Sequence, residues 1–237
     1  MKVGVFVQAR VKSSRLPYKM LLPFPGGALI QHVLRASRRI KAGFYALLVP
    51  GNDMSYFEYY ADKEGFDLLA DPGQEEDVYG RFIMGLNHYS RLNWDLDVVI
   101  RVCGDKVLLS PKYTQRALDF MVSQYYNIYT HLNWVYYANH PLSQVTGDVL
   151  YAPKLRELYR PDLPDEWKEH IISAFQVNSL GCEIPETTIH PNALNHTNLI
   201  VDTEADYRRL RNVYKAFYKD DVIEIDTILD ALKSFGY

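Results

Sequence analysis

The chain has 237 residues, of which 48% are hydrophobic and 23% charged, and its formal net charge is −3. This length allows one large domain or two small ones, and the apolar fraction is sufficient for a buried core. A net charge this close to zero provides no overall positive field, so neither nucleic acid nor a membrane surface is expected as a partner.

The first half of the chain alternates short apolar runs with helical patterns, which is typical of β–α units around a mainly parallel sheet. The predicted strands are VGVFVQ, FYALLVP, FDLLA and LDVVIRVCGD. The predicted helices are ALIQHVLRASRRI, DMSYFEYYADKEG, EEDVYGRFIMGLNHYSRL and KYTQRALDFMVSQY. The second of these helices is expected to end at Gly65, and the third to carry acidic residues in its first turn, where they complement the helix dipole.

Beyond the fourth predicted helix the regular alternation ends. The stretch QYYNIYTHLNWVYYANH, the run VTGDVLYAP and the segment DEWKEHIISAFQVN predict two strands and a helix. We interpret residues from about 127 to 180 as an irregular excursion from the sheet. NLIVDTEADYRRLRNVYKAF then predicts a strand and a helix with Asp202 or Thr203 as N-cap, and IEIDTILDALKSFGY a closing helix. We find neither repeats nor a linker, so a single domain spanning residues 1–237 is expected.

Tyrosine is unusually frequent, with 19 residues in the chain. The cluster within QYYNIYTHLNWVYYANH favours a half-buried strand and loop, or a subunit interface. Stacking against nucleic-acid bases is a weaker interpretation, because lysine and arginine do not surround these rings.

The two cysteines, Cys103 and Cys182, lack the spacing of a zinc site or a disulfide framework, so they are expected to be ordinary buried thiols. The N-terminal stretch MKVGVFVQAR lacks the features of a signal peptide, and the apolar runs are too short for a membrane span. The chain is therefore expected to be cytoplasmic.

Three polar clusters follow predicted strands, and the carboxyl ends of parallel strands are where open α/β sheets bind ligands. The clusters are Arg10, Lys12, Arg15 and Lys19 after VGVFVQ, Gly104 and Asp105 after VVIRVC, and Asp202 after NLIV. Four cations beside two carboxylates suit a polyphosphate with a bound Mg²⁺. Neither the P-loop pattern nor GxGxxG is present. Taken alone, an aspartate after a strand is more often a helix cap than a metal ligand.

Five segments together resemble one family. The loop QARVKSSRLPYK resembles the QAR-x-G-S-x-R-L-P-x-K loop of sugar cytidylyltransferases of the spore coat polysaccharide biosynthesis protein F type, relatives of the CMP-KDO and CMP-sialate synthetases. Further motifs of that family are similar to EEDVYGRF, VIRVCGD, KEHIIS and LIVDTEADYRRLRNVY. The motifs occur in the family order from residue 3 to about residue 217, which is nearly the whole chain.

The resemblance implies an α/β fold like that of the nucleotide-diphospho-sugar transferases, with three layers and a mostly parallel mixed sheet. It implies a Mg²⁺-dependent enzyme that joins CMP from CTP to a small sugar, releases pyrophosphate and serves surface polysaccharide or glycan biosynthesis. Because related synthetases commonly pair through the excursion, it also implies a homodimer formed by residues from about 127 to 180. The same region is expected to select the sugar.

The resemblance also assigns site residues. It implies that Lys19, Arg10 and Asp105 are catalytic and that Asp105 and Asp202 hold the metal. The substrate-binding residues that it implies are Arg10, Ser13, Arg15, Lys19 and His170. The expected set is completed by Gln8 and Arg101, which are placed at the rim beside them, and by Lys12, the remaining cation of the loop.

The chain departs from the family pattern in the loop and after the Gly-Asp pair. Lys12 and Tyr18 stand where the family has glycine, which permits positive φ and close approach of the backbone to phosphate. Val107 replaces a proline, and Lys106 could compete with the metal for Asp105. These departures leave open a catalytically silent protein that binds a nucleotide or nucleotide-sugar on the same fold.

Two further alternatives concern single motifs. A glycosyltransferase on the same fold usually needs a D-x-D motif after a strand, but DLD at residues 95–97 precedes the strand VVIRV. His170 is interpreted either as a satisfied, half-buried histidine on a helix or as a substrate contact. Metal binding by His170 is disfavoured, because no second His or Cys has helical spacing from it.

Overall fold

The computed structural model describes residues 1–124, 132–138, 141–184 and 198–234. The strands are β1 Val3–Gln8, β2 Pro23–Phe24, β3 Gly27–Ala28, β4 Phe44–Pro50, β5 Asp67–Asp71, β6 Val98–Cys103, β7 Trp134–Tyr136, β8 Asp148–Tyr151 and β9 Gly181–Glu183. The α-helices are α1 Leu29–Arg38, α2 Met54–Glu64, α3 Val78–Arg91, α4 Pro111–Gln124, α5 Leu142–Val145, α6 Ala152–Leu158, α7 Asp165–Glu169, α8 Ile171–Val177, α9 Glu204–Phe217 and α10 Ile225–Ser234.

Within the described ranges, seven strands form one sheet in the order β5–β4–β1–β6–β8–β7–β9, and β2 pairs with β3 in a separate hairpin. Neighbours among β5, β4, β1 and β6 are parallel, whereas β8 runs antiparallel to both β6 and β7. This mostly parallel mixed sheet confirms the predicted fold class. The chain places β4 on one side of β1 and β6 on the other, so a crevice opens beyond their carboxyl ends.

Helices cover both faces of the sheet and complete three layers. One core packs α1, α2, α4, α9 and α10 against one face, and a second core packs α3, α6 and α8 against the other. Because successive residues of a strand point to opposite faces, β1 contributes Val5 and Val7 to the first core and Phe6 to the second. Burial on both faces is therefore the reason that β1 reads as a continuous apolar run.

The predicted helix ends are correct at one position and shifted at another. Gly65 ends α2 in the left-handed conformation, with φ 70°. In contrast, α3 begins only at Val78, so the acidic residues expected in its first turn precede the helix. Asp77 is its N-cap, and the Asp77 carboxylate accepts a hydrogen bond from the backbone N–H of Gly80 at 2.7 Å.

The predicted excursion extends the sheet instead of leaving it. Of the tyrosine-rich stretch, residues 125–131 and 139–140 lie outside the described residues. The described part forms β7, which pairs with β8, and β8 in turn pairs with β6. We continue to propose that residues 1–237 form a single domain.

Two other elements differ from the prediction. The single helix expected over DEWKEHIISAFQVN is broken at His170, with φ −113° and ψ 79°, into α7 and α8. Residues 198–201, predicted as a strand, form neither strand nor helix. Leu199 and Val201 are buried. The apolar run therefore reflects core packing, because burial without a paired ladder produces the same pattern.

Two expectations from composition can be compared with the structure. Cys103 and Cys182 are free thiols, but both are partly exposed and not buried. None of the helices in the described ranges combines the length and the apolar character that a membrane crossing requires.

Candidate active site

A cleft of about 400 Å³ opens beyond the carboxyl ends of β1 and β6, where Gln8 and Cys103 are paired in register. All ten residues that the sequence assigned to a site line this cleft. They are Gln8, Arg10, Lys12, Ser13, Arg15, Lys19, Arg101, Asp105, His170 and Asp202. Residues far apart in the chain thus share one concave surface, as a small-molecule site requires.

One wall of the cleft is the loop of residues 10–19 after β1, termed here the cradle loop. The backbone N–H of Val11 donates to the Asp53 carboxylate at 2.8 Å, and the backbone N–H of Tyr18 donates to the Val11 carbonyl at 2.9 Å. These bonds anchor the loop near both of its ends.

The two departures from the glycine pattern have different outcomes in the cradle loop. Tyr18 adopts the left-handed conformation that glycine would adopt freely, with φ 57° and ψ 21°. That conformation costs about 1–2 kcal/mol for a residue with a Cβ. At Lys12 the backbone φ is not positive, and its ammonium pairs with the Glu75 carboxylate at 2.5 Å. The backbone geometry that favours glycine is therefore retained at Tyr18 and is unnecessary at Lys12.

Lys19 lies between the two aspartates predicted to bind metal. Its Nζ donates to Asp105 Oδ2 at 2.7 Å and to Asp202 Oδ1 at 2.9 Å, and only 10% of its side chain is exposed. Arg15 also approaches Asp202 Oδ1, at 3.2 Å. Burial opposes the charge of Lys19, but the two carboxylates outweigh burial and raise the pKa of Lys19 above its ordinary value. The cleft therefore holds a buried ammonium with two carboxylates converging on it.

The turn after β6 aims Asp105 into the cleft. The backbone N–H of Gly104 donates to the Gln8 carbonyl at 2.9 Å, and a Cβ at this position would meet that same oxygen at 2.9 Å. Glycine is needed here for close approach of the two strand ends. The expected competition from Lys106 is wrong, because its Nζ donates to the carbonyls of Ser143 and Thr146 on another side.

Asp202 enters the cleft from the start of α9. Thr203 is the N-cap, and its hydroxyl accepts from the backbone N–H of Asp206 while the Asp206 carboxylate accepts from the backbone N–H of Thr203. Because this capping box satisfies the helix end, the Asp202 carboxylate is left for Lys19 and Arg15. The backbone N–H of Val201 donates to the Asp105 carbonyl at 3.2 Å, which holds the two aspartate segments together.

The opposite wall comes from the junction of α7 and α8. Arg10 donates to Glu169 Oε1 at 2.8 Å across the cleft. His170 follows Glu169 and is exposed. The interpretation of His170 as a half-buried helical histidine is therefore wrong, because the helix breaks at this residue.

Arg101 forms part of the cleft floor on β6. Its guanidinium donates to Asp148 Oδ2 at 2.9 Å, and the Trp134 indole N–H donates to Asp148 Oδ1 at 3.2 Å. Trp134 stacks on Tyr136 with 4.0 Å between ring centroids. The irregular region thus supplies the partner that orients Arg101.

Among the described residues that line the cleft, two charged ones were absent from the assigned set, Arg81 and Glu169. Arg81 is 2% exposed and donates to the Glu75 carbonyl at 2.7 Å, while its Nε has no partner among the described residues. Burial lowers the pKa of Arg81. The motifs EEDVYGRF and KEHIIS already contained both residues, but neither motif by itself shows that they face the cleft.

The donor set fits a hard divalent cation together with a phosphate substrate. Within the described ranges, no three or more His, Cys, Asp or Glu side chains are grouped to hold a metal. Asp105 and Asp202 nevertheless converge on one point, and Mg²⁺ typically takes one or two carboxylates plus substrate phosphates and water. A metal at this place would need phosphate oxygens to complete its coordination.

Comparisons with known proteins identify relatives of this chain in sequence. A family model described as cytidylyltransferase matches residues 5–163. The spore coat polysaccharide biosynthesis protein SpsF of Bacillus subtilis (strain 168) is 28% identical over 243 aligned residues, which cover 94% of this chain and 92% of SpsF.

Two solved structures are similar in fold. A cytidylyltransferase from Leptospira borgpetersenii serovar Hardjo-bovis (strain JB197) has a TM-score of 0.81 at 21% identity, covering 100% of this chain and 95% of that one. CMP:2-keto-3-deoxy-manno-octonic acid synthetase complexed with CTP has a TM-score of 0.63 at 15% identity, covering 91% of this chain and 99% of that one. At these identities the similarity shows a shared fold.

Proposed function

This chain belongs to the cytidylyltransferase family, and we propose that it joins CMP from CTP to a small sugar with release of pyrophosphate. We further propose Mg²⁺ as its metal, the cytoplasm as its location and surface polysaccharide or glycan biosynthesis as its process. The similarity to SpsF supports the process, and the fold shared with a CTP-complexed synthetase supports the nucleotide. Membership of this family favours a nucleotidyltransferase over a silent binding protein.

The observation that carries the proposal is the convergence of Asp105 and Asp202 on buried Lys19 beside the arginines of the cradle loop. An ammonium as buried as that of Lys19 needs compensating negative charge, which Asp105 and Asp202 supply. A triphosphate supplies anionic oxygens to the cations, and the carboxylates remain available for a divalent metal.

We propose a part in the reaction for each of these side chains. Arg10, Arg15 and Lys19 bind phosphate oxygens and neutralise the charge that develops on the leaving pyrophosphate. When bound, Mg²⁺ supplies further positive charge at the phosphates, with Asp105 and Asp202 as its carboxylate ligands. The sugar enters from the wall formed by the α7–α8 junction and the Arg101 floor, so that its hydroxyl faces the α-phosphorus.

Nucleotide binding is tested by measuring thermal unfolding with each of four ribonucleoside triphosphates, in the presence and absence of Mg²⁺. CTP with Mg²⁺ is expected to stabilise the protein most, by about 2.7 kcal/mol at a concentration 100 times its Kd. Equal stabilisation by all four nucleotides would contradict the preference for CTP. Stabilisation by none of them would overturn the proposed function.

The assembly is proposed to be a homodimer formed by residues from about 127 to 180. Large apolar and aromatic side chains are frequent there, and Val177 on α8 is 65% exposed. Sedimentation velocity at micromolar concentration is expected to give the mass of a dimer, and a monomer in that experiment would contradict the proposal.

A further inference from the structure

One ion pair crosses the cleft from the cradle loop to the α7–α8 junction. Arg10 Nη2, on the cradle loop, donates to Glu169 Oε1 at 2.8 Å. Glu169 is the last residue of α7, and the chain turns at His170 immediately after it. The side chains of Arg10 and Glu169 are 33% and 39% exposed, so a ligand in the cleft can reach both.

Glu169 differs from the other carboxylates of the cleft. Among the described residues that line it, three carry carboxylates, namely Asp105, Asp202 and Glu169. Asp105 and Asp202 both bind Lys19 and are our proposed metal ligands. Glu169 contacts neither Lys19 nor these aspartates in the hydrogen bonds of the described residues, and its partner is Arg10. Glu169 is therefore the carboxylate of this set that lies outside the proposed metal site.

The position of Glu169 relative to the bound nucleotide follows from its contact with Arg10. A phosphate oxygen that accepts a hydrogen bond from Arg10 shares that guanidinium with Glu169. The attacking hydroxyl must come within bonding distance of the α-phosphorus, on the side away from the pyrophosphate. Since Glu169 belongs to the α7–α8 junction and contacts the cradle loop, its carboxylate lies where a sugar on one wall would meet a nucleotide on the other.

We propose that Glu169 is the proton acceptor for the attacking sugar hydroxyl, an inference that rests on the function proposed above. The hydroxyl proton passes to the Glu169 carboxylate as the sugar oxygen bonds to the α-phosphorus. The bond between the α-phosphorus and the bridging oxygen breaks, and its electron pair leaves on pyrophosphate. Glu169 then loses the proton to solvent. Arg10 orients the carboxylate in addition to binding phosphate.

His170 is the second group of the α7–α8 junction, among the described residues that line the cleft, whose side chain can accept a proton. Its side chain is exposed, and its backbone N–H donates to the Glu166 carbonyl at 2.8 Å. Glu169, in contrast, contacts the cradle loop through its ion pair with Arg10. That contact favours Glu169 as the group nearest the reacting atoms.

The test is Glu169→Gln, which keeps the size of the side chain and removes its basicity. With a panel of acidic 2-keto sugars and amino sugars, kcat for pyrophosphate release is expected to fall by about 10²–10⁴-fold. The Kd of CTP, measured by titration calorimetry, is expected to be unchanged or lower, because Arg10 no longer shares its charge with a carboxylate. Glu166→Gln, an exposed position on the same helix α7, is the matched control and is expected to retain the wild-type rate.

Three results would overturn the assignment. One is a kcat of Glu169→Gln close to that of wild type, and another is a loss of CTP affinity parallel to the loss of rate, as for a purely structural pair. The third is a large loss of kcat in His170→Gln with none in Glu169→Gln. A wild-type protein that binds CTP but releases no pyrophosphate with any sugar would instead overturn the proposed function, and this inference with it.

Discussion

Asp105→Asn and Asp202→Asn are each expected to abolish most of the Mg²⁺-dependent release of pyrophosphate from CTP. Both carboxylates reach the same ammonium, at 2.7 and 2.9 Å, so they act on one point in the cleft. Asparagine preserves the size and much of the hydrogen bonding but removes the anionic ligand. The loss is expected to be at least about 10²-fold in kcat, the scale of removing one electrostatic stabiliser of the transition state. The double variant is expected to be hardly worse than either single one, because residues that act as a unit are not additive.

The matched control for these variants is Asp95→Asn. Asp95 precedes β6 at the opposite end of the strand, and its carboxylate accepts a hydrogen bond from the Ser90 hydroxyl. Its replacement is expected to leave the rate unchanged, and a large loss there would revive the D-x-D interpretation of residues 95–97. Full activity in both Asp105→Asn and Asp202→Asn would place the metal elsewhere.

Lys19→Gln is expected to have a double effect, on binding and on stability. Loss of the ammonium removes a charge-assisted contact to the triphosphate, which weakens CTP binding by about 1.5–3 kcal/mol. It also leaves Asp105 without its cation and Asp202 with only the exposed Arg15, which lowers the free energy of unfolding by about 1–3 kcal/mol in the absence of metal. Mg²⁺ alone is expected to restore part of this stability in the variant, because the two carboxylates can then bind the cation. Thermal unfolding with and without Mg²⁺ measures the effect.

Arg15→Ala is expected to weaken CTP binding without lowering the stability of the fold. Its side chain is 63% exposed and approaches Asp202 at the surface of the cleft. We expect CTP binding to weaken as for Lys19, with a change in unfolding free energy of no more than about 0.5 kcal/mol. Equal losses of stability in the two variants, or no response of Lys19→Gln to Mg²⁺, would contradict the buried role of Lys19.

Because the folded protein raises the pKa of Lys19, its stabilising charge is present at neutral pH and is lost only as pH rises through that pKa.

The strands of the parallel half of the sheet could be predicted because their signal is local. β1, β4 and β6 are covered on both faces, and a strand of this kind is a nearly continuous apolar run. α2 ends at a glycine with φ 70°, as its sequence indicates. The same reasoning failed for residues 198–201, where Leu199 and Val201 are buried without being part of a ladder. Hydrophobicity reports burial, and a short apolar run does not specify which hydrogen bonds its backbone makes.

The sequence by itself determined the family and the chemical types at the candidate site, since ordered motifs supply cations, carboxylates and a glycine at fixed positions along the chain. The tertiary structure alone decided which of these groups meet. Lys19 contacts Asp105, which is 86 residues away, and Asp202, which is 183 residues away, and Arg10 contacts Glu169 at a separation of 159 residues. It also decided that Lys106 turns away from Asp105 and that the irregular region extends the sheet. The physical reason is that contacts between distant residues follow from how the strands pair and the helices pack, whereas motifs and periodicity record only the local requirements of each segment.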